Sequence, residues 1–318
     1  MTERFREIIQ VGAGYHPGAL TGEALRDDIE AVLAWYREVF TLGSAALEKL
    51  ASYYRDIISG FDPTLAAEIE GLAAGAALPD WLLYALNARS EVLTNVKQAE
   101  CTSVIDTRRR VLAQNWDWGR ALEERVILLR VRGGNGRDIA TLTEAGIVGK
   151  VGMNSAGLGV CLNILSYPGR LDGLPVHVFL RAVLACDSVA AVRDLLAAYG
   201  PGKASNVLVG DATGDCLSVE FAGERWFELQ PRDGVLCHSN HYLGDDALNR
   251  GELFYSTRER QLRAAQSLAE GGEPWTLLGN RDDGPLSVCR PYALSDTPGF
   301  GEVGTVFSLE MALDEGEL

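Results

Sequence analysis

Apolar side chains recur at helical spacing through the first third of this 318-residue chain. Leu25, Ile29, Val32, Leu33, Tyr36, Val39 and Phe40 share one face, which predicts an amphipathic helix. Asp62-Pro63-Thr64 carries the cap-then-proline signal of a second helix, with Ala66, Ile69, Leu72 and Ala73 recurring behind it. Pro79-Asp80 restarts the pattern through Leu82, Leu83 and Leu86. Tyr15-His16-Pro17-Gly18 reads as a turn ahead of these helices.

After residue 100 the pattern changes to strands. Cys101 to Ile105 is a short strand, Arg108 to Arg110 a charged turn, and Val111-Leu112-Ala113 the start of a returning strand that runs on to Trp118. Arg125 to Val131, Ile139 to Thr143, Ile147 to Val151 and Gly157 to Asn163 continue as strands, with Gly133 to Gly136 as a turn needing positive φ. Two apolar-faced helices, Val178 to Ala185 and Val189 to Tyr199, are separated by Cys186-Asp187-Ser188, which can cap the second. Strands return at Asn206 to Gly210, Asp215 to Phe221, Arg225 to Leu229 and Gly234 to Asn240, followed by a helix over Ser256 to Glu270. Meandering strands before any long helix predict an α+β protein with antiparallel sheets, not a βαβ alternation.

Composition narrows the function. Forty-seven per cent apolar and 23% charged residues suit a globular core. The net charge of −15 argues against a nucleic-acid partner, which requires a basic face. No run has the length of a signal peptide or a membrane span, so the cytoplasm is the expected compartment and no membrane partner is expected.

The six cysteines, at 101, 161, 186, 216, 237 and 289, are far apart and form no C-x-x-C pair, which points away from a disulfide framework or a zinc site. Cys161, Cys186 and Cys216 sit in apolar runs and read as buried small hydrophobes. Cys101 differs, because Thr102, Ser103 and the returning Gln114-Asn115-Trp116-Asp117-Trp118 surround it with polar groups. The hairpin brings Asp117 back towards Cys101, an arrangement that suits a nucleophile. The four histidines are His16, His177, His238 and His241. Gly146-Ile147-Val148-Gly149-Lys150 lacks P-loop spacing, and Gly152 to Gly157 is one residue too long for a nucleophile elbow, so both read as hairpin turns.

Cys101-Thr102-Ser103-Val104 followed by Gln114-Asn115-Trp116-Asp117-Trp118 resembles the acyl-CoA:6-aminopenicillanic acid acyltransferase family, the C45 group of N-terminal-nucleophile (Ntn) hydrolases. Glu68 to Ala73 and Asn87 to Glu91 resemble that family's prosegment, His238-Ser239-Asn240-His241 its His-x-Asn-His stretch, and Ser287 to Arg290 a late segment with an arginine in the pocket. The resemblance implies a four-layer αββα sandwich, with residues 1–100 a helical prosegment packed on a catalytic region of residues 101–318. It implies self-cleavage between Glu100 and Cys101, although the best-known member has glycine where this chain has Glu100.

The roles it implies are specific. Cys101 is the nucleophile, Asp117 orients the new ammonium, and Asn240 donates to the oxyanion. Arg290, Asn115, Asn154 and Ser155 are the substrate-pocket candidates. A thiol of pKa about 8.5 is little ionised at pH 7, and the α-amine freed by the cut, with a pKa of about 7.7–8.0, would be a base held on the same residue. The expected partners are a small amide or acyl donor and, for transfer, an amine acceptor, with no metal or other cofactor. Two alternatives remain open on sequence alone: an uncut thiol hydrolase pairing Cys101 with His238 or His241, and an uncut, non-catalytic binding protein on the same scaffold.

Overall fold

A computed structural model describes residues 5–93, 100–134, 137–169, 171–249 and 255–316. The chain opens with strand β1 (Arg6–Val11) and six helices, α1 (Tyr15–Ala24), α2 (Arg26–Val39), α3 (Ser44–Phe61), α4 (Pro63–Gly75), α5 (Asp80–Asn87) and α6 (Arg89–Val92). A run of strands follows: β2 (Glu100–Asp106), β3 (Val111–Gly119), β4 (Val126–Gly134), β5 (Arg137–Glu144), β6 (Val151–Asn154) and β7 (Gly159–Ile164). Helices α7 (Val176–Leu184) and α8 (Val189–Ala198) lead to β8 (Ser205–Gly210), β9 (Cys216–Ala222), β10 (Arg225–Leu229) and β11 (Val235–His238). The last elements are α9 (Thr257–Ala269), α10 (Pro274–Leu278), β12 (Ala293–Leu294) and β13 (Glu302–Ala312).

The strands form two sheets, ordered β1-β4-β5-β6-β7-β8-β9-β10 and β11-β2-β3-β13-β12. Every pairing is antiparallel except that of β1 with β4. The sheets face each other. Ser103 donates to Asn163 at 2.6 Å, Gln114 bonds both backbone groups of Leu162, and Ile105 packs on Gly210. Period-two alternation sends the other side chains of β2 outwards, so that Val104 packs with Ala264 and Leu268 of α9. With α7 packed on β6 and β7, and α9 and α10 on the second sheet, the result is the αββα sandwich.

The helical face of α2 is as the periodicity predicts: Leu25, Ile29, Val32, Leu33, Tyr36, Val39 and Phe40 are all buried. Asp62 caps α4 by accepting from Thr64 and Leu65 N–H groups, and Ser188 caps α8. Several expectations are corrected. Tyr15 to Gly18 is the first turn of α1, with His16 exposed on it. Ile147 to Lys150 is a buried connection instead of a strand. Side chains hold its backbone: Asn87 bonds Gly146 O and Val148 N at 2.9 Å, and Arg181 donates to Val148 O at 2.7 Å. Gly152 to Asn154 belongs to β6, so only the end of the 152–157 stretch is a turn. Cys186 and Cys216 are half-buried. Gly133 has the positive φ expected, while Asn135 and Gly136 lie outside the described residues. β1, α1, α3, α10, β12 and β13 carry no expectation from the hydrophobic pattern, yet β13 is an inner strand of the second sheet.

Residues 5–93 are tied to the sheets at many points. β1 extends the first sheet, and Arg181 pairs with Glu68 of α4 at 3.2 Å. No helix among the described residues is long and apolar enough to cross a membrane.

Candidate active site

Cys101 lies at the head of β2, paired directly with Trp116 of β3, while Glu100 pairs with Asp117. Paired residues share a sheet face, so Cys101 and Trp116 look between the sheets and Glu100 and Asp117 look towards the α9 layer. The site therefore has two sides meeting at the end of one strand.

On the inner side, the buried Cys101 thiol borders a cavity of about 20 Å³, room for one water. Arg89 and Ser90 of α6 line it, together with Trp116, Trp118, Lys150 and His177. Lys150 sits 2.8 Å from the centre of the Trp116 ring and donates to Glu144 at 2.9 Å. Glu144 also accepts from Arg89 at 3.0 Å and from Tyr36. Burial and then the charge of Asp117 push the Cys101 thiol up to about 12, against the opposing pull of Lys150 and Arg260. Burial brings Lys150 down to about 7, with Glu144 opposing. Burial, Arg89 and Lys150 hold His177 well below its ordinary value, so it is neutral. Its Nδ1 faces Gly149 O and its Nε2 faces Ser90 Oγ, both at 3.3 Å.

On the outer side, the Cys101 backbone N–H donates to Asn240 Oδ1 at 2.8 Å, across 139 residues of sequence. Asn240 Nδ2 donates to Ile164 O at 2.9 Å, and its own N–H donates to Thr257 Oγ1 at 2.7 Å. Arg260 of α9, fully buried, reaches Glu100 at 2.8 Å, Asn240 at 2.9 Å, Thr102 at 2.7 Å and Cys101 O. Burial alone would raise the Glu100 carboxyl, but Arg260, Arg290 and Ser256 bring it below its ordinary value. Asp117 accepts from Thr305 at 2.6 Å and leaves Oδ2 without a hydrogen-bond partner. Burial raises Asp117 to about 6 despite Arg290 and Arg260.

Of the predicted site residues, Glu100, Cys101, Asp117, Asn240 and Arg290 come together. Asn115, Asn154 and Ser155 do not. Asn115 donates to Leu278 O and Val288 O and fastens α10 to the second sheet. Asn154 closes the β6–β7 turn and bonds Leu184 O and Cys186 O at the end of α7. Ser155 is exposed and accepts from Asp138 N–H. Neither late histidine is turned to Cys101: His238 faces Glu220 at 2.7 Å and Ser239 O, and His241 faces Thr257.

The residues missed by the sequence reading are Lys150, Glu144, Arg89, Ser90 and His177 on the inner side, and Ser256, Arg260 and Thr305 on the outer. Lys150 had a signal, a lone cation in the apolar run from Ala145 to Val151, which the P-loop comparison set aside. Arg260 had none, since it is one of several charges on a polar helix.

A sequence profile described as acyl-coenzyme A:6-aminopenicillanic acid acyl-transferase matches residues 105–299, a span that takes in Asp117, Asn240 and Arg290. The acyl-coenzyme A:6-aminopenicillanic-acid-acyltransferase 40 kDa form of Emericella nidulans is 29% identical over 292 residues, covering 88% of this chain and 82% of its own. Among solved structures, a variant of conjugated bile acid hydrolase from Clostridium perfringens is similar at 16% identity and a TM-score of 0.41, covering 68% of this chain and 87% of that one. Penicillin V acylase from Agrobacterium tumefaciens is similar at 15% identity and a TM-score of 0.43, covering 68% and 80%.

Proposed function

Because the chain belongs to the acyl-coenzyme A:6-aminopenicillanic acid acyl-transferase family, we propose that it is a self-processing cysteine Ntn hydrolase. It cuts its own Glu100–Cys101 bond and then uses Cys101 on the C–N bond of a small amide. The observation that carries the reading is the 2.8 Å bond from the Cys101 N–H to Asn240, at the head of a strand whose thiol has room for only one water. The cavity beside that thiol is small while the chain is intact, so cutting would enlarge the site as well as create its base.

The first step is an acyl shift. The Cys101 sulfur attacks the Glu100 carbonyl, the C–N bond breaks, and the leaving nitrogen takes a proton. A thioester then joins Glu100 to the Cys101 side chain. Water attacks that thioester, releasing the Glu100 α-carboxylate and the free thiol of a Cys101 whose α-amine the acyl shift has already freed. Lys150 and Arg260 favour the developing thiolate by charge, which offsets part of the burial that pushes the thiol up to about 12.

In the cut enzyme the α-amine serves as base for each turnover. The unpartnered Oδ2 of Asp117 is an acceptor suited to the ammonium, and the Asn240 amide, which spends one N–H on Ile164 O, has a second for the tetrahedral oxyanion. Water completes the turnover as an amidase, or an amine acceptor as an acyltransferase. The net charge of −15 offers no general attraction to CoA phosphates, so hydrolysis is the favoured outcome.

The test is the intact mass of the purified protein beside a Cys101→Ala variant, with N-terminal sequencing of any fragment. Two fragments, residues 1–100 and 101–318, absent from the variant, are expected. A single chain after prolonged incubation would overturn the reading and favour an uncut scaffold.

A further inference from the structure

We propose that Arg260 and Arg290 form a carboxylate subsite, occupied in the intact chain by the Glu100 side chain and afterwards by a carboxylate on the acyl half of the substrate. The inference rests on Glu100–Cys101 being the bond that is cut.

The Glu100 carboxylate, with a side chain 2% exposed, is bound like a ligand. Its Oε2 accepts from Arg260 Nη2 at 2.8 Å and from Ser256 Oγ, and its Oε1 lies 3.1 Å from Arg290 Nη1. Arg260 also donates to Cys101 O, Thr102 Oγ1 and Asn240 Oδ1, anchors that do not involve Glu100, so it stays in place when Glu100 leaves. Arg290 is less well served. Its Nε and Nη1 are buried without an aligned hydrogen bond, so the guanidinium retains donors that a free carboxylate can engage.

Charge makes the vacancy costly. Charge from both arginines also reaches the Asp117 carboxyl. Removing Glu100 leaves two desolvated cations facing one acid, an arrangement that favours a second anion.

Position gives the substrate class. The Glu100 acyl group is the first that Cys101 receives, and three carbons separate its carbonyl from its side-chain carboxylate. A glutaryl-type amide bound in its place would present its carbonyl to the thiol with its distal carboxylate on the arginines.

Two experiments test this. In a Cys101→Ala background, which cannot cut, Glu100→Ala is melted in acetate and in chloride at matched ionic strength. Acetate is expected to raise the Tm of the double variant by several degrees and to leave the Glu100-containing parent unchanged. Equal responses would overturn the subsite, whatever becomes of the self-cleavage reading. With the cut enzyme, whose state is verified by mass, glutaryl and valeryl p-nitroanilides are compared. We expect kcat/KM to favour the glutaryl substrate at least about tenfold. Parity or a preference for the neutral chain would overturn the subsite. This second comparison also stands alone if the double variant does not fold. An uncut wild-type chain would instead sink the self-cleavage reading and leave the acetate result to decide the arginine site.

Discussion

Asp117 shows how a single residue sets stability against function. Its carboxyl is raised to about 6 by burial, whereas an unfolded chain would release that proton near 3.9. A folded pKa above the unfolded one means stability that is fully present below about pH 4 and is lost as pH rises through 6. Asp117→Asn should therefore increase the free energy of unfolding at pH 8 by about 1–3 kcal/mol, with the gain vanishing at pH 4. Denaturant titrations at the two pH values check this, and a destabilised variant at pH 8 would refute it. Glu144 is the opposite case. Burial alone would raise it, but Arg89 and Lys150 hold it far below the ordinary carboxyl range. Glu144→Gln leaves the buried Arg89 cation without its counter-ion and should cost about 3–5 kcal/mol, read as a lower urea midpoint at neutral pH. A change under 1 kcal/mol would mean the network relaxes around the neutral side chain.

Among the elements, α1 and α4 meet along a seam of glycines. A Cβ added at Gly18 or Gly22 would run into the backbone carbonyl of Glu68 or Leu72, and one at Gly71 or Gly75 into that of Tyr15 or Ala19. The two helices thus touch backbone to backbone, a contact that no larger residue permits. Gly60, inside α3, has nothing within 4 Å of such a Cβ. Gly71→Ala should therefore destabilise by about 1–3 kcal/mol, while Gly60→Ala should stabilise by up to about 1 kcal/mol. Thermal melts of the pair decide whether close approach, and not glycine as such, accounts for the seam. At this scale α2, α4 and α5 were legible because an apolar stripe marks a buried face. β13 was harder to read, since its half-buried positions dilute the alternation. Ile147 to Lys150 misled because its apolar run resembles a strand, while its backbone partners are the side chains of Asn87 and Arg181, far away in sequence.

For the molecule as a whole, the first third is built into the sheets. β1 pairs with β4, Tyr36 and Arg89 reach Glu144, Ser90 faces His177, and Glu91 accepts from Val176 N–H at the start of α7. If the chain is cut after Glu100, both fragments should co-elute on size exclusion at neutral pH and separate only in denaturant. Separation under native conditions would contradict an active cavity lined by Arg89 and Ser90.

The sequence by itself determined the α+β class, Cys101 at the head of a hairpin, and the short motifs carrying Asp117, Asn240 and Arg290. The first two are local properties, readable from period, turn chemistry and composition, while the motifs were picked out by their resemblance to a known family. Only the tertiary structure decided which polar residues are near one another. It turned Asn115 and Asn154 into fasteners for backbone carbonyls, and brought Lys150, Arg260 and Ser256 to the two sides of the Cys101 strand. The reason is physical: period two along β2 and β3 assigns each side chain to a face, but what waits on that face depends on sheet order and helix packing. Those are settled by contacts between residues from 30 to more than a hundred positions apart, which no local pattern records.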